Sequence, residues 1–577
     1  MNAARLRDLG PIARSLRTEL SQLVFVVTQE RAHDFRSGRV GLPLDNGVVD
    51  DTAAMIRQLD DHVLARLEHL DAPALVVVGG STGSGKSLIV NSLVGEDVTR
   101  PGVLRPTTTS PALVHNAVDA NWFGSNKILP GLARVFDGNA HGHAEVRLIT
   151  SEGVPSGLAL LDSPDIDSVS AENRALAAEL LAAADLWIFV TTAARYADAV
   201  PWEFLTQSRD RGTPLVIVMN RVPAGHEETL RAHLIDMLTE HTVPADVFTI
   251  TEQSLLNQRL PVSSVALLHG WLGELGSNRD ARTHAIEQSV TGSLDDLATR
   301  TCRIADHLDS QLATLASLRT QAHAPYDAAL QQIRIDISEG TLLKGEVLAR
   351  WEELLGTGEL LRQLRTGLAK MRDRIGGALT GRSQHSSELH GAVEHVVESL
   401  IRTRADEAAS IAATAWRTHP TGVVLLADAE GLDRADPTLT VRAATEVREW
   451  QAYVLELIRN VGGNRKTKAR VLSFGVNGVA MVVMMLVFSH TGGLTGAEVA
   501  VAGGASAVGH ALLESLLGDQ TVRTLASQAR SDLERRVGEL FASEVQRYDN
   551  QLTAAAADSS TPQRLRALAA QLRSTNQ

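Results

Sequence analysis

Eight consecutive residues constrain this chain more than any others. Gly80-Ser81-Thr82-Gly83-Ser84-Gly85-Lys86-Ser87 fits the pattern G-x-x-x-x-G-K-[ST]. The apolar run Ala74–Val78 precedes it and reads as a strand; Leu88–Val94 comes next and reads as a helix. Glycines let such a loop curl so that successive N–H groups face a phosphate, and the helix N-terminus adds its positive dipole end. Lys86 is placed to reach the β and γ phosphates of a nucleotide, and the Ser87 hydroxyl to bind Mg²⁺. Residues 80–88, Leu88 included, are therefore the expected phosphate-binding segment.

The surroundings fit that loop. Short apolar runs at Ala74–Val78, Val146–Thr150, Leu158–Leu161, Leu186–Thr191, Leu215–Met219 and Val247–Thr251 alternate with longer amphipathic stretches. This predicts an α/β domain over residues 71–275, a mostly parallel sheet with helices on both faces. Residues 1–70 show Leu and Ile at spacings of three and four, as in Leu6, Leu9, Ile12, Leu16 and Leu20, and predict an N-terminal helical segment that packs with the stalk. Residues 276–460 carry few strand signals and predict a long all-α bundle. Residues 461–519 hold two apolar segments, and 520–577 return to a charged amphipathic pattern read as helices rejoining the bundle.

Composition narrows the function classes. The chain has 577 residues and a formal net charge of -13, an excess of acid that argues against nucleic acid as a partner. Apolar residues make up 44% and aromatics only 4%, so the cores must be built from Leu, Val, Ile and Ala. The single cysteine, Cys302, excludes a disulfide framework or a Cys-rich zinc site. Charges scattered from Arg5 to Glu19 do not fit a secretory signal.

Two further elements complete the expected site. Leu158–Leu161 places Asp162 at a strand tip, where its carboxylate can hold Mg²⁺, usually through water. Arg105-Pro106-Thr107-Thr108-Thr109-Ser110-Pro111 reads as a polar loop able to offer a hydroxyl to Mg²⁺ and the attacking water. Together, GGSTGSGKS, LRPTTTSP, LLDSPD and VIVMNR resemble in spacing the bacterial branch of the dynamin-family large GTPases. Their motifs cover about residues 73–255. The resemblance implies a Mg²⁺-dependent GTP hydrolase whose metal is held by Ser87, Thr108 and Asp162. It implies Lys86 and Thr108 as catalytic residues, and Asn220 and Arg221 as readers of the base. It further implies a homodimer, or a hetero-oligomer with a related GTPase, on the cytoplasmic face of a bacterial membrane.

The chain departs from that family at three points. Asp165 stands where Asp-x-Pro-Gly has its glycine, beside the expected γ phosphate. Pro223 replaces the Asp that accepts hydrogen bonds from guanine, so ATP is not excluded. Thr82-Gly83 stands where a catalytic Gln-Ser pair is common. Thr251 and Glu252 are further candidates for a base pocket.

Val471–Phe488 is 18 residues without charge, roughly 27 Å of helix, preceded by Arg465, Lys466, Lys468 and Arg470. Val499–Leu517 is Gly-rich but interrupted by His510 and Glu514. The pair reads as a helical hairpin that inserts into lipid or, alternatively, as a core or oligomer element of the bundle. The open readings are three: a GTPase that remodels membrane, a nucleotide-binding membrane scaffold with little hydrolysis, and a soluble P-loop switch. Arg195-Tyr196-Ala197-Asp198 reads as a loop–helix junction or a partner contact, and His141–His143 as exposed loop rather than a metal pair.

Overall fold

The structure, a computed structural model, describes residues 3–32, 46–99, 111–136, 145–338, 383–460, 476–488, 513–514 and 517–576, apart from Asn126, Val169 and Ala557. The described residues fall into two compact units. One comprises those within 1–36, 43–311 and 557–577; the other comprises those within 312–556.

The first unit is built on an eight-stranded sheet: β1 (Ala74–Gly80), β2 (Ala112–His115), β3 (Ala133–Val135), β4 (Glu145–Thr150), β5 (Leu158–Asp162), β6 (Leu186–Thr192), β7 (Leu215–Val222) and β8 (Asp246–Thr251). Their spatial order is β3-β4-β2-β5-β1-β6-β7-β8. Pairing is parallel except between β2 and β5, where Ala112 faces Asp162. The apolar runs of the central strands serve two cores at once. In β1, Leu75 and Val77 enter one core while Ala74, Val76 and Val78 enter the other; Trp187 and Phe189 of β6 alternate in the same way with Ile188 and Val190. A parallel strand covered on both faces reads as a near-continuous apolar run, and β1 and β6 are buried throughout. Six strands match the sequence reading. The two it lacks, β2 and β3, are short, and β3 is partly exposed.

Helices α1 (Ala3–Ala32) and α2 (Asn46–Gln58) precede the sheet; within it lie α3 (Lys86–Val94), α4 (Ala171–Ala182), α5 (Ala199–Asp210), α6 (Glu227–Glu240) and α7 (Val262–Ser277). A separate helical core in this unit joins Leu6, Leu9, Leu16 and Leu20 of α1 to Ile286, Val290 and Leu294 and to Leu565 and Leu572 near the C-terminus. With Ala13 between Leu9 and Leu16, the first two groups recur at steps of three and four, the stripe that an α-helix turns toward one side.

Helix α8 (Arg279–Ser338) contributes to both units. The second unit adds α9 (Ser383–Arg417), α10 (Pro420–Asp428), α11 (Leu439–Arg459), α12 (Val476–Val487) and α13 (Asp519–Ala555); α14 (Thr561–Asn576) belongs to the first. The fold class is thus as expected, an α/β sheet domain together with a long all-α part. Three aromatic residues pin the bundle through their polar tips. Trp416 Nε1 donates to the Leu318 carbonyl at 2.9 Å, Trp450 Nε1 to that of Ala529 at 2.7 Å, and the Tyr548 hydroxyl to that of Ala409 at 3.1 Å.

The expectation of a membrane-inserted hairpin over 461–519 finds no support among the described residues. Every residue from Val479 to Phe488 is buried, packed among α9, α11 and α13. At about 1.5 Å per residue, the 12 residues of α12 extend roughly 18 Å, and no described helix is long and apolar enough to cross a membrane. A helix apolar on all sides can be buried by protein as well as by lipid. Most of the second apolar segment and the basic cluster Arg465–Arg470 lie outside the described residues, as do Thr108, the stretch 340–376, His141 and His143.

Candidate functional site: a phosphate-binding loop

Strand β1 ends at Gly80, and α3 begins at Lys86, so the loop between them sits at the carboxyl edge of the central strand. Two glycines make this turn possible. Gly80 has φ +147°, and a Cβ there would lie 2.1 Å from the Val190 carbonyl oxygen of β6. Gly85 has φ +98°, and a Cβ there would meet Asn220 Nδ2 at 2.5 Å. The helix then starts cleanly, with Ile89 N–H donating to the Gly85 carbonyl at 2.9 Å.

The expected phosphate and metal groups converge at this turn. Lys86 folds back over the loop and donates to the carbonyls of Gly80 (2.8 Å) and Ser81 (3.1 Å) and to Asp165 Oδ1 (2.5 Å). Ser87 Oγ donates to Asp162 Oδ2 at 2.6 Å, across the junction of β5 and α3. Asp162 is fully buried, and its other oxygen, Oδ1, has no hydrogen-bond partner. Burial pushes its carboxyl up to about 6; the Ser87 hydroxyl and the charge of Lys86 oppose that rise without cancelling it. The hydroxyls of Ser81 and Ser84 are likewise buried without a partner. Orphaned buried oxygens of this kind call for a ligand.

A hydroxyl and a carboxylate side by side, one oxygen unsatisfied, suit Mg²⁺. This ion takes one or two protein oxygens and completes its shell with water and nucleotide phosphates. No group of three or more acidic, His or Cys side chains able to hold a metal occurs among the described residues, so an ion here would depend on the nucleotide for part of its shell.

Asn220 and Arg221 part company. Asn220 is buried; its Nδ2 donates to the Ser84 carbonyl at 2.9 Å and its Oδ1 accepts from Arg221 N at 2.9 Å, so it braces the phosphate loop from beneath. Arg221 is exposed at a bulge where the β7–β8 register shifts, with φ +51°. A non-glycine residue in that region is strained and is usually held there by its surroundings. The Thr251 hydroxyl bonds Glu227 Oε1 at 3.2 Å, and Glu252 N–H bonds the Val222 carbonyl at 2.8 Å.

Three residues near the loop escape the sequence reading in these roles. Asp167 Oδ1 accepts from the Thr82 N–H (2.6 Å) and hydroxyl (2.8 Å). Arg195, at the junction after β6, donates to Asp167 Oδ2 (3.0 Å) and to the Thr82 carbonyl (3.3 Å). Burial raises the Asp167 carboxyl, but its bonds from Thr82 and Arg195 outweigh this and hold it below the usual range. Thr99 bonds Asn91 through its backbone N–H (2.8 Å) and hydroxyl (3.1 Å), fixing the chain shortly before 100–110. The Asn91–Thr99 spacing carries no recognised motif, and the contacts of Asp167 and Arg195 join segments far apart in sequence.

No protein-family model matches this chain, and no curated protein does. Among solved structures it is similar to a member of an oligomerised bacterial dynamin pair, with 11% identity and a TM-score of 0.42 over 98% of this chain and 94% of that one. It is similar to LeoA, a bacterial dynamin GTPase from ETEC, with 11% identity and a TM-score of 0.24 over 100% of both chains. Toc33 from Arabidopsis thaliana, solved with Mg²⁺ and GMPPNP, matches with 16% identity and a TM-score of 0.24 over 42% of this chain and 94% of that one. At these identities and TM-scores the likenesses decide neither fold nor function, which rest on the chain's own sheet and phosphate loop.

Proposed function

We propose that this chain is a Mg²⁺-dependent nucleoside triphosphatase of the dynamin-like kind, with GTP as its expected substrate. The observation that carries the reading is the convergence of Lys86, Ser87 and Asp162 on one turn, where Ser81, Ser84 and Asp162 keep buried oxygens without a partner. Residues 80–88 hold the phosphates through backbone N–H groups, and Lys86 neutralises charge on the β and γ groups. Ser87 and Asp162 would hold Mg²⁺, which would supply positive charge to offset that of the phosphates. Thr108, outside the described residues, is the proposed third metal ligand and orders the attacking water. Asn220 keeps the loop in shape, and Arg221 stacks on the base.

The test is calorimetric titration with GTP and with ATP, each with and without Mg²⁺, and then phosphate release. Lys86→Ala removes a charge-assisted contact to each of two phosphates, so affinity falls about 100-fold or more and turnover disappears. Wild-type protein that binds neither nucleotide ends the reading. Binding without turnover moves it to the scaffold alternative.

The proposed setting is the cytoplasmic face of a bacterial membrane, in a homodimer or a hetero-oligomer. It rests on the uncharged stretch Val471–Phe488 and its basic flank. The burial of α12 favours a second reading, a soluble switch whose apolar helix is a core element. Flotation of the full chain with anionic vesicles, with and without nucleotide, separates the two. Protein that never rises with the vesicles supports the soluble switch.

A further inference from the structure

Asp165 does more than depart from a family pattern. An ammonium group has three N–H donors and no acceptor, and all three donors of Lys86 are engaged. Two go to backbone carbonyls, those of Gly80 and Ser81. The Gly80 carbonyl cannot easily move, because Gly80 is pressed against the backbone of β6. The third donor goes to Asp165, on the segment that leaves β5. The pair is nearly closed off from water, with Lys86 6% and Asp165 12% exposed.

The same segment makes a second such contact. Asp167, two residues on, accepts the N–H of Thr82, one of the loop amides expected to face phosphate. Ile166 N–H meets the Gly80 carbonyl at 3.4 Å, and Ser163 anchors the segment through its N–H and hydroxyl to Val78. Two carboxylates from one strand-end segment therefore stand on the cation and on an amide of the phosphate loop. They hold positions where phosphate oxygens would otherwise bind.

We propose that Asp165 is the specificity-determining residue by which this site distinguishes a nucleoside triphosphate from a diphosphate. The inference rests on the nucleotide-binding reading above. A diphosphate takes the loop amides beyond Thr82 and leaves Asp167 on Thr82 and the third donor of Lys86 on Asp165. A triphosphate brings its terminal phosphate to that donor and displaces Asp165, both by competing for the proton and by like-charge repulsion. Release of Asp165 loosens residues 163–168, so the segment reports the phosphate count.

The experiment uses the full chain with Mg²⁺ and two nucleotide pairs, GDP with GMPPNP and ADP with AMPPNP, read by calorimetry. Asp165→Asn keeps the shape and removes the charge; Asp165→Gly removes the side chain. Both variants are checked by thermal melting. The expected result is tighter binding of the triphosphate analogue by about 10- to 100-fold in both variants, with the diphosphate changed by less than about threefold. In the unaltered protein, hydrogen exchange of residues 163–168 rises with GMPPNP or AMPPNP and not with the diphosphates. Equal tightening of di- and triphosphate, or no change in either, overturns the proposal. A GMPPNP complex in which 163–168 stays as protected as with GDP also overturns it. Wild-type protein that binds none of the four removes the nucleotide-binding reading itself, a failure distinct from the others.

Discussion

Strand β1 and helix α12 are both apolar runs without a charge, and they teach different lessons. The residues of β1 are legible because a glycine-rich turn comes directly after them, then a lysine that only a strand–loop–helix unit can use. The residues of α12 have no such punctuation. Their composition suits a lipid bilayer and a protein interior equally, and in this molecule protein covers them. A run of hydrophobic residues records that water is excluded. Which material excludes it is decided by neighbours that the run does not name.

The comparison breaks most sharply at α12. Val483→Asp places an unpaired carboxylate among α9, α11 and α13, and the helical unit should lose about 3–5 kcal/mol in lipid-free buffer. Chemical denaturation monitored by circular dichroism measures this. A variant as stable as the parent would mean that α12 is not core in solution. Nucleotide affinity, measured on folded variant, should stay close to that of the parent.

The next effect belongs to β5. Asp162 is held at about 6 in the fold, above its ordinary 3.8. A raised carboxyl favours the folded state while it is protonated. Its stabilising contribution is complete below about pH 4, is lost as the pH climbs through 6, and stays lost at neutrality. With about 1.4 kcal/mol for each tenfold change in proton affinity, the loss amounts to about 3 kcal/mol. Metal-free protein should therefore be less stable at pH 7 than at pH 4.5 from this source. Asp162→Asn should flatten that part of the profile and weaken the Mg²⁺ dependence of nucleotide binding. A stability profile from pH 4 to 7.5, unchanged by Asp162→Asn, would contradict the assignment.

The smallest effect is at Arg195. Its side chain is 41% exposed, and its ion pairs with Asp167 and Asp198 are screened by solvent. Arg195→Ala should cost less than about 1 kcal/mol of stability. The release of Asp167 from one partner should change nucleotide dissociation by less than about fivefold, measurable by stopped-flow displacement. A much larger change would make Arg195 a direct phosphate contact.

These magnitudes track how legible each part is. Six strands can be read because each carries a short run rich in apolar residues, continuous over Ala74–Val78 in β1 and Leu186–Val190 in β6. β2 escapes because four residues, Ala112–His115, are too few to establish a period, and its antiparallel pairing with β5 depends on a partner 46 residues on. β3 is three partly exposed residues at the sheet edge. At the site, the loop and Asp162 can be read because local spacing fixes their positions. The contacts of Asp165, Asp167 and Arg195 cannot, because they depend on how one loop settles against another. Asn220 can be found as a residue but not as a brace, since its amide turns toward Ser84 only once β7 lies beside the loop's strand neighbours.

The indole of Trp450 is buried against Phe488, the residue next to the end of α12, with ring centroids 5.6 Å apart. That edge-to-face contact gives the chain an optical gauge of its own. If α12 ever leaves the bundle for a bilayer, the Trp450 surroundings must change with it, and fluorescence emission would track the departure without any added dye. Comparing the intact protein with Trp450→Phe isolates that signal from the other tryptophans. The wavelength of one side chain would then say whether this greasy helix stays at home.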